Sequence, residues 1–78
     1  MNRPIYQIAV EIRKDWAKVN YGAKPYLEAM ECLQDVNSKY GQDNAKGIIC
    51  YFLANASSWR GDVAKRVKAE LKKMVGLK

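Results

Sequence analysis

The chain has 78 residues, and its 14 Lys or Arg against 8 Asp or Glu give a net charge of +6 at pH 7. This length allows one domain with a thin core, and the hydrophobic content of 49% is too high for a disordered chain. The longest run without a charged residue, 47–59, is too short to span a membrane. The N-terminus lacks a basic region followed by an apolar run, so we expect no secretory signal.

The first half of the chain predicts two helices. Apolar residues recur every three or four positions, which predicts a helix over 4–19 and a second over 25–39. Pro4 suits the first turn of the first helix, because its missing N–H would have no partner there. We expect Gly22 to end the first helix in a left-handed cap and Gly41 to end the second.

A third apolar stripe runs from Ala45 to Ala56 and predicts the third helix. Asp43 or Asn44 precedes it, and either side chain can accept a hydrogen bond from an unpaired backbone N–H of the first turn. We therefore expect an N-cap at one of these two residues.

The fourth helix is expected to begin at Trp59 or Arg60, with Ser57 or Ser58 as its cap, and to end at Gly76. No segment alternates with a period of two, and no hairpin dipeptide occurs, so we expect no strand. The whole chain is predicted to be a single all-α domain of four short helices.

Most of the net charge belongs to the predicted fourth helix. Residues 59–78 contain seven basic and two acidic residues, whereas residues 1–58 contain seven basic and six acidic ones. A basic helix attracts anions, so nucleic acid, a nucleotide or an acidic protein surface are candidate partners, and a solvated face is the alternative. Its lysines, among them Lys65, Lys68 and Lys72, predict a grip on phosphates with little reading of sequence.

The 55–61 segment predicts an anion site at the start of this helix. It combines Asn55, Ser57, Ser58, Trp59 and Arg60. A helix N-terminus offers free N–H groups, the serines offer hydroxyl donors, and the guanidinium grips phosphate or carboxylate in a bidentate manner. The alternative is structural: a serine caps the helix, the indole fills the core, and the asparagine satisfies the turn.

Further candidate ligand-binding residues lie outside this segment. Lys65 follows in the same helix, and Lys24 stands between two tyrosines in the first connection. Tyr6 or Tyr26 is predicted to stack on a bound base from another helix or subunit. The alternative is that these tyrosines line the edge of the core with their hydroxyl groups in water.

The sequence also lacks the residues of several common active sites. The absence of histidine excludes a Ser-His-Asp triad and an imidazole metal site, and no glycine pattern matches a phosphate loop. Cys32 and Cys50 are too few for a zinc site and are expected to be free thiols, with Cys50 in the core. We expect no catalysis, no metal and no cofactor.

Several stretches of the chain together resemble a family of small bacteriophage-encoded proteins. The resemblance rests on Ile5-Tyr6-Gln7-Ile8-Ala9, Asp15-Trp16, Pro25-Tyr26-Leu27-Glu28-Ala29-Met30, Tyr51-Phe52-Leu53-Ala54-Asn55-Ala56-Ser57-Ser58-Trp59-Arg60-Gly61 and Lys65-Arg66-Val67-Lys68-Ala69-Glu70-Leu71. It carries over no binding residue. It implies an accessory protein of the host cytoplasm with a non-catalytic, anti-defence role. Such a protein binds and sequesters a nucleotide-type anion or blocks a host defence protein.

The alternative function is a basic helical protein that grips nucleic-acid phosphates with its last helix. In either case we expect a homo-oligomer, because a domain of this size is marginal alone and subunit interfaces form good pockets.

Overall fold

The computed structural model describes residues 3–35, 37–41 and 43–76. Its described part contains the helices α1 (Ile5–Asp15), α2 (Lys24–Met30), α3 (Ala45–Ala54) and α4 (Asp62–Met74). A two-residue antiparallel ladder, β1 (Lys39–Tyr40) and β2 (Asp43–Asn44), lies between α2 and α3. The predicted small helical domain of four helices is confirmed, but the expectation of no strand is wrong, because this two-residue ladder forms around the turn at Gly41.

The first helix is shorter than the predicted 4–19. Pro4 precedes α1 in an extended conformation, and the helix ends at Asp15 because Trp16 leaves the helical region at φ −103° and ψ 80°. Val19 continues the apolar period, but it packs against the core from the following turn. Because Val19 is partly buried at helical spacing, the sequence pattern predicted a longer first helix than the structure has.

The prediction of a second helix over 25–39 is wrong in length, because α2 ends at Met30. Leu33 is fully buried, as a helix would have it, but it lies in an irregular segment. The carbonyl groups of Gln34 and Leu33 accept hydrogen bonds from Ile5 and Tyr6 N–H at 2.9 Å. These bonds satisfy the first N–H groups of α1, which has no side-chain cap.

Two glycines have roles other than the predicted helix stops. Gly22 does not adopt a left-handed conformation; instead, a Cβ atom there would lie 2.8 Å from Asn55 Oδ1. A side chain at this position would displace the side chain of Asn55, which donates a hydrogen bond to Tyr51 O. Gly41, with φ +64°, forms the turn between β1 and β2 rather than the end of α2.

The start of α3 is as predicted, and the start of α4 is not. Asn44 Oδ1 accepts a hydrogen bond from Gly47 N–H at 2.8 Å, which confirms the N-cap. The fourth helix begins at Asp62 rather than at 59 or 60, and Gly61 is its N-cap with φ 114° and ψ −180°. Only glycine adopts this conformation readily.

Ser57 and Ser58 therefore do not cap α4. They form a turn in which the N–H of Trp59 donates to Ala56 O at 3.0 Å. The expected stop at Gly76 is confirmed, since α4 ends at Met74 and the glycine has φ 81°.

Three aromatic rings form the centre of the core. Trp16 and Trp59 stack with ring centroids 5.8 Å apart and planes at 7°, and Phe52 meets both rings edge-on. The buried indole of Trp59 donates from Nε1 to Asp15 Oδ2 at 2.8 Å, so its polar group is satisfied. The indole of Trp59 was predicted to contribute to an anion site, with burial in the core as the alternative, and it is 2% exposed. Cys50 is a free thiol as predicted, but the prediction that it lies in the core is wrong, because it is half-buried and outside the core cluster.

We expect Trp59→Ala to lower the free energy of unfolding by about 3–5 kcal/mol, because it removes a buried ring that contacts two others. Chemical denaturation followed by circular dichroism measures this change. Tyr21→Ala is the control: this tyrosine is 94% exposed, and its removal should change stability by less than about 0.5 kcal/mol. Equal stability of Trp59→Ala and the parent would contradict the assignment of this indole to the core.

Candidate functional site

One flank of α4 is neutralised by residues of the N-terminal part. Arg3 makes two hydrogen bonds to Glu70, at 2.7 and 3.1 Å, and its guanidinium also lies 2.8 Å from Glu11 Oε1. Arg66 donates to the other oxygen of Glu11. Two arginines and two glutamates thus form one network, which connects Arg3, before α1, to Glu11 of α1 and to two residues of α4.

The network changes the ionisation of Glu11. The hydrogen bond from Arg66 lowers the pKa of this carboxyl most, burial acts in the opposite direction, and Arg3 lowers the pKa further. The glutamate is therefore held in its charged form. Within this network the two acidic and the two basic groups balance.

The opposite flank carries uncompensated positive charge. Lys65, Lys68 and Lys72 follow one another at spacings of three and four, which places them on one side of the helix. Arg60 lies beside its first turn. None of these four cations forms an ion pair with any carboxylate in the part of the chain that the structure describes. We call these four residues the basic strip.

Lys68 is the most constrained member of the basic strip. Its Nζ donates to Trp59 O at 2.6 Å and lies 5.8 Å from the centroid of the indole ring. Burial lowers the pKa of this ammonium, and repulsion from Lys72 and Arg60 lowers it further. Mutual repulsion within the strip means that a bound anion would stabilise it.

A pocket of about 270 Å³ opens at the N-terminal end of the strip. Trp59, Arg60, Gly61, Ala64, Lys65 and Lys68 line it. The structure thus brings together three residues of the predicted site, Trp59, Arg60 and Lys65. Lys68 was predicted from the sequence as a phosphate-gripping lysine of the last helix rather than as part of this site, and the structure places it one helical turn after Lys65 in the same pocket.

The other polar residues of the predicted site stabilise the connection between α3 and α4 through hydrogen bonds. Asn55 Nδ2 donates to Tyr51 O, and Asn20 Nδ2 donates to both Asn55 O and Ser58 Oγ. Ser57 is exposed in the turn. These side chains do not line the pocket, and the prediction that the serines donate at the start of α4 is wrong because the helix begins later.

The remaining predicted ligand residues lie on other elements. Tyr6 is 44% exposed on α1, and Lys24 is the exposed first residue of α2. Tyr26 stacks on Tyr51 with centroids 5.4 Å apart, so α2 and α3 share an aromatic pair. None of these residues lines the pocket beside Arg60.

The described residues offer little for metal or membrane chemistry. No group of three or more Cys, Asp or Glu side chains in the described ranges is placed to hold a metal ion. No described helix combines the length and apolar character needed to cross a membrane. A second pocket, also about 270 Å³, has both charge signs among Glu11, Lys14 and Asp15 and therefore favours neither cations nor anions.

No protein-family model, curated protein or solved structure matches the chain. The resemblance to small phage proteins, the anti-defence role, the host cytoplasm and the homo-oligomer therefore stay predictions.

We expect Glu11→Gln to lower stability at pH 7, because it removes the negative charge that pairs with both Arg3 and Arg66. The depressed pKa of Glu11 means that its stabilisation is full above the ordinary carboxyl pKa of about 4.3 and is lost as pH falls through the lower value of the folded state. The difference in urea midpoint between variant and parent should therefore narrow below about pH 4.

Glu28→Gln is the matched control, since Glu28 is exposed and makes no ion pair with a described residue. Glu28→Gln should leave the urea midpoint nearly unchanged at pH 7 and at pH 3. A difference for Glu11→Gln that persists undiminished at pH 3 would show that the carboxylate charge is not what stabilises this flank.

Proposed function

We propose that this protein binds nucleic acid through its phosphates, without catalysis, using the basic strip. The observation that carries the proposal is the asymmetry of α4. Arg66 is paired with Glu11 on one flank, whereas Arg60, Lys65, Lys68 and Lys72 have no described carboxylate partner on the other.

The dimensions of the strip support a polyanion. Lys72 lies seven positions after Lys65 in the helix, which is roughly 10 Å along the axis. Phosphates of one nucleic-acid strand advance by about 3.4 Å along the duplex axis, so several lie within reach of these lysines. Each contact releases a condensed counterion, and that release favours binding at low salt. The guanidinium of Arg60 adds the option of a bidentate contact to phosphate.

A compact anion is the second candidate ligand, and the pocket beside Arg60 favours it. Its volume of about 270 Å³ is near the lower limit of small-molecule sites, and three cations surround it. A nucleotide-type ligand would place its phosphate among Arg60, Lys65 and Lys68. The nearest indole, that of Trp59, is 2% exposed, so this ligand would be held by its phosphate rather than by its base.

For the nucleic-acid function, the parent protein should bind a short DNA duplex with a slope of log affinity against log salt between about −3 and −4, from four phosphate contacts. The double variant Lys65→Gln/Lys72→Gln should reduce the magnitude of that slope by about 2 and the affinity by at least about tenfold. Both lysines are exposed, so the fold should survive. Fluorescence anisotropy measures both quantities.

The control is Lys14→Gln/Lys46→Gln, which removes the same charge from exposed positions on α1 and α3. It should retain most of the affinity. No binding of the parent at low salt, or equal losses in the two double variants, would rule out the strip as the binding surface.

For the compact anion, Arg60→Ala should weaken the binding of a labelled nucleoside triphosphate by about tenfold to a hundredfold, because it removes a charge-assisted hydrogen bond. Its melting temperature should match that of the parent, since Arg60 is exposed. Lys24→Ala is the control, because this lysine lies on α2 outside the pocket. Equal affinities of Arg60→Ala and the parent would exclude the pocket as a nucleotide site.

A further inference from the structure

Among the residues that the structure describes, no exposed aromatic ring lines the pocket beside the basic strip. Single-strand binding proteins combine positive charge with exposed aromatic rings, and the rings supply much of the affinity. The ring beside the strip is that of Trp59, which is 2% exposed. It stacks on Trp16, and the ammonium of Lys68 lies 5.8 Å from its centroid.

Exposed tyrosines occur elsewhere in the described part of the chain. Tyr6 lies on α1, Tyr21 lies before α2, and Tyr51 of α3 is stacked on Tyr26 of α2. The 13 residues of α4 include no aromatic residue. Phosphate contacts and base stacking are therefore placed on different elements, whereas a single-strand site needs both along one path.

The strip also lacks side chains suited to reading base edges. No Asn, Gln, Ser or Thr occurs within α4. Amides and hydroxyl groups contact base edges in the grooves, whereas lysines mainly contact phosphates. Arg60 is the one guanidinium of the strip, and the neighbouring Arg66 is paired with Glu11.

We propose that the basic strip selects duplex over single-stranded nucleic acid and does so without sequence preference. This inference rests on the proposed nucleic-acid function. A duplex places two phosphate strands along a regular surface and has the higher axial charge density, so more counterions are released for each contact than from a single strand. Lysines at spacings of three and four along one side of a helix fit that regular array.

The experiment compares four probes of equal length with the full chain: a DNA duplex of about 16 base pairs, a second DNA duplex of unrelated sequence, an RNA duplex and a DNA single strand. Anisotropy titrations run at two salt concentrations. We expect both DNA duplexes to bind within about threefold of each other and at least about fivefold more tightly than the single strand, with a steeper salt dependence. The RNA duplex determines whether the strip accepts A-form as well as B-form phosphate spacing.

Lys65→Gln/Lys72→Gln should remove the duplex preference, and Tyr51→Ala should not. Equal or tighter binding of the single strand would overturn the inference while leaving nucleic-acid binding intact. If Tyr51→Ala then abolished the binding of the single strand, that binding would be assigned to the exposed tyrosine of α3. A difference of more than about tenfold between the two DNA duplexes would overturn the absence of sequence preference. No binding of any probe at low salt would overturn both the inference and the function on which it rests.

Discussion

The stacked indoles of Trp16 and Trp59 determine how α4 is rotated on the rest of the molecule. Trp59 lies just before α4, and its Nε1 is bonded to Asp15 at the end of α1. Once that ring is buried, only Arg60 and Gly61 separate it from the helix. Gly61, at φ 114°, turns the chain, and α4 then buries Ala64, Val67 and Leu71. This arrangement determines the direction in which each charged residue of α4 points from the helix axis.

That rotation divides the charge of the helix between two environments. Arg66 and Glu70 face the N-terminal part, where Arg3 and Glu11 complete their pairing. Lys65, Lys68 and Lys72 point to the other side. A net charge of +6 spread evenly over the surface would favour no particular partner. The four cations of the strip, which pair with no carboxylate of the described residues, lie together on one flank of α4, and the proposed function depends on that local concentration of positive charge.

Sequence periodicity could predict the four helices because each buries an apolar stripe, but it could not predict where two of them end. Leu33 and Val19 are buried or partly buried outside helices, and spacing alone cannot distinguish such burial from another turn. Asn44 was predictable because capping is local. Ser57 and Ser58 have the same capping chemistry, yet the burial of Trp59 shifts the start of α4 beyond their reach.

The candidate site was predictable to a similar extent and for the same reason. Arg60 and Lys65 are close in sequence and remain close in space, whereas Tyr6 and Tyr26 could join them only through tertiary packing, and the packing places them elsewhere. The pairing of Arg66 with Glu11 spans most of the chain and leaves no local signal. Helix periodicity could therefore group the lysines of α4, but only the folded arrangement distinguishes the neutralised flank from the strip.

The exposed cations of the strip, Arg60, Lys65 and Lys72, make no ion pair with a described residue, and this distinguishes them from Arg3 and Arg66. Charge pairs such as Arg3 with Glu70 connect distant parts of a thin domain, so their loss should lower the free energy of unfolding. The cations of the strip repel one another, and the lowered pKa of Lys68 reflects burial together with that repulsion. Its bond to Trp59 O fixes the ammonium without neutralising it. Surface charge that repels itself and lacks a carboxylate partner would be stabilised by an external anion, and this is the physical basis on which we propose a phosphate-bearing ligand for the strip.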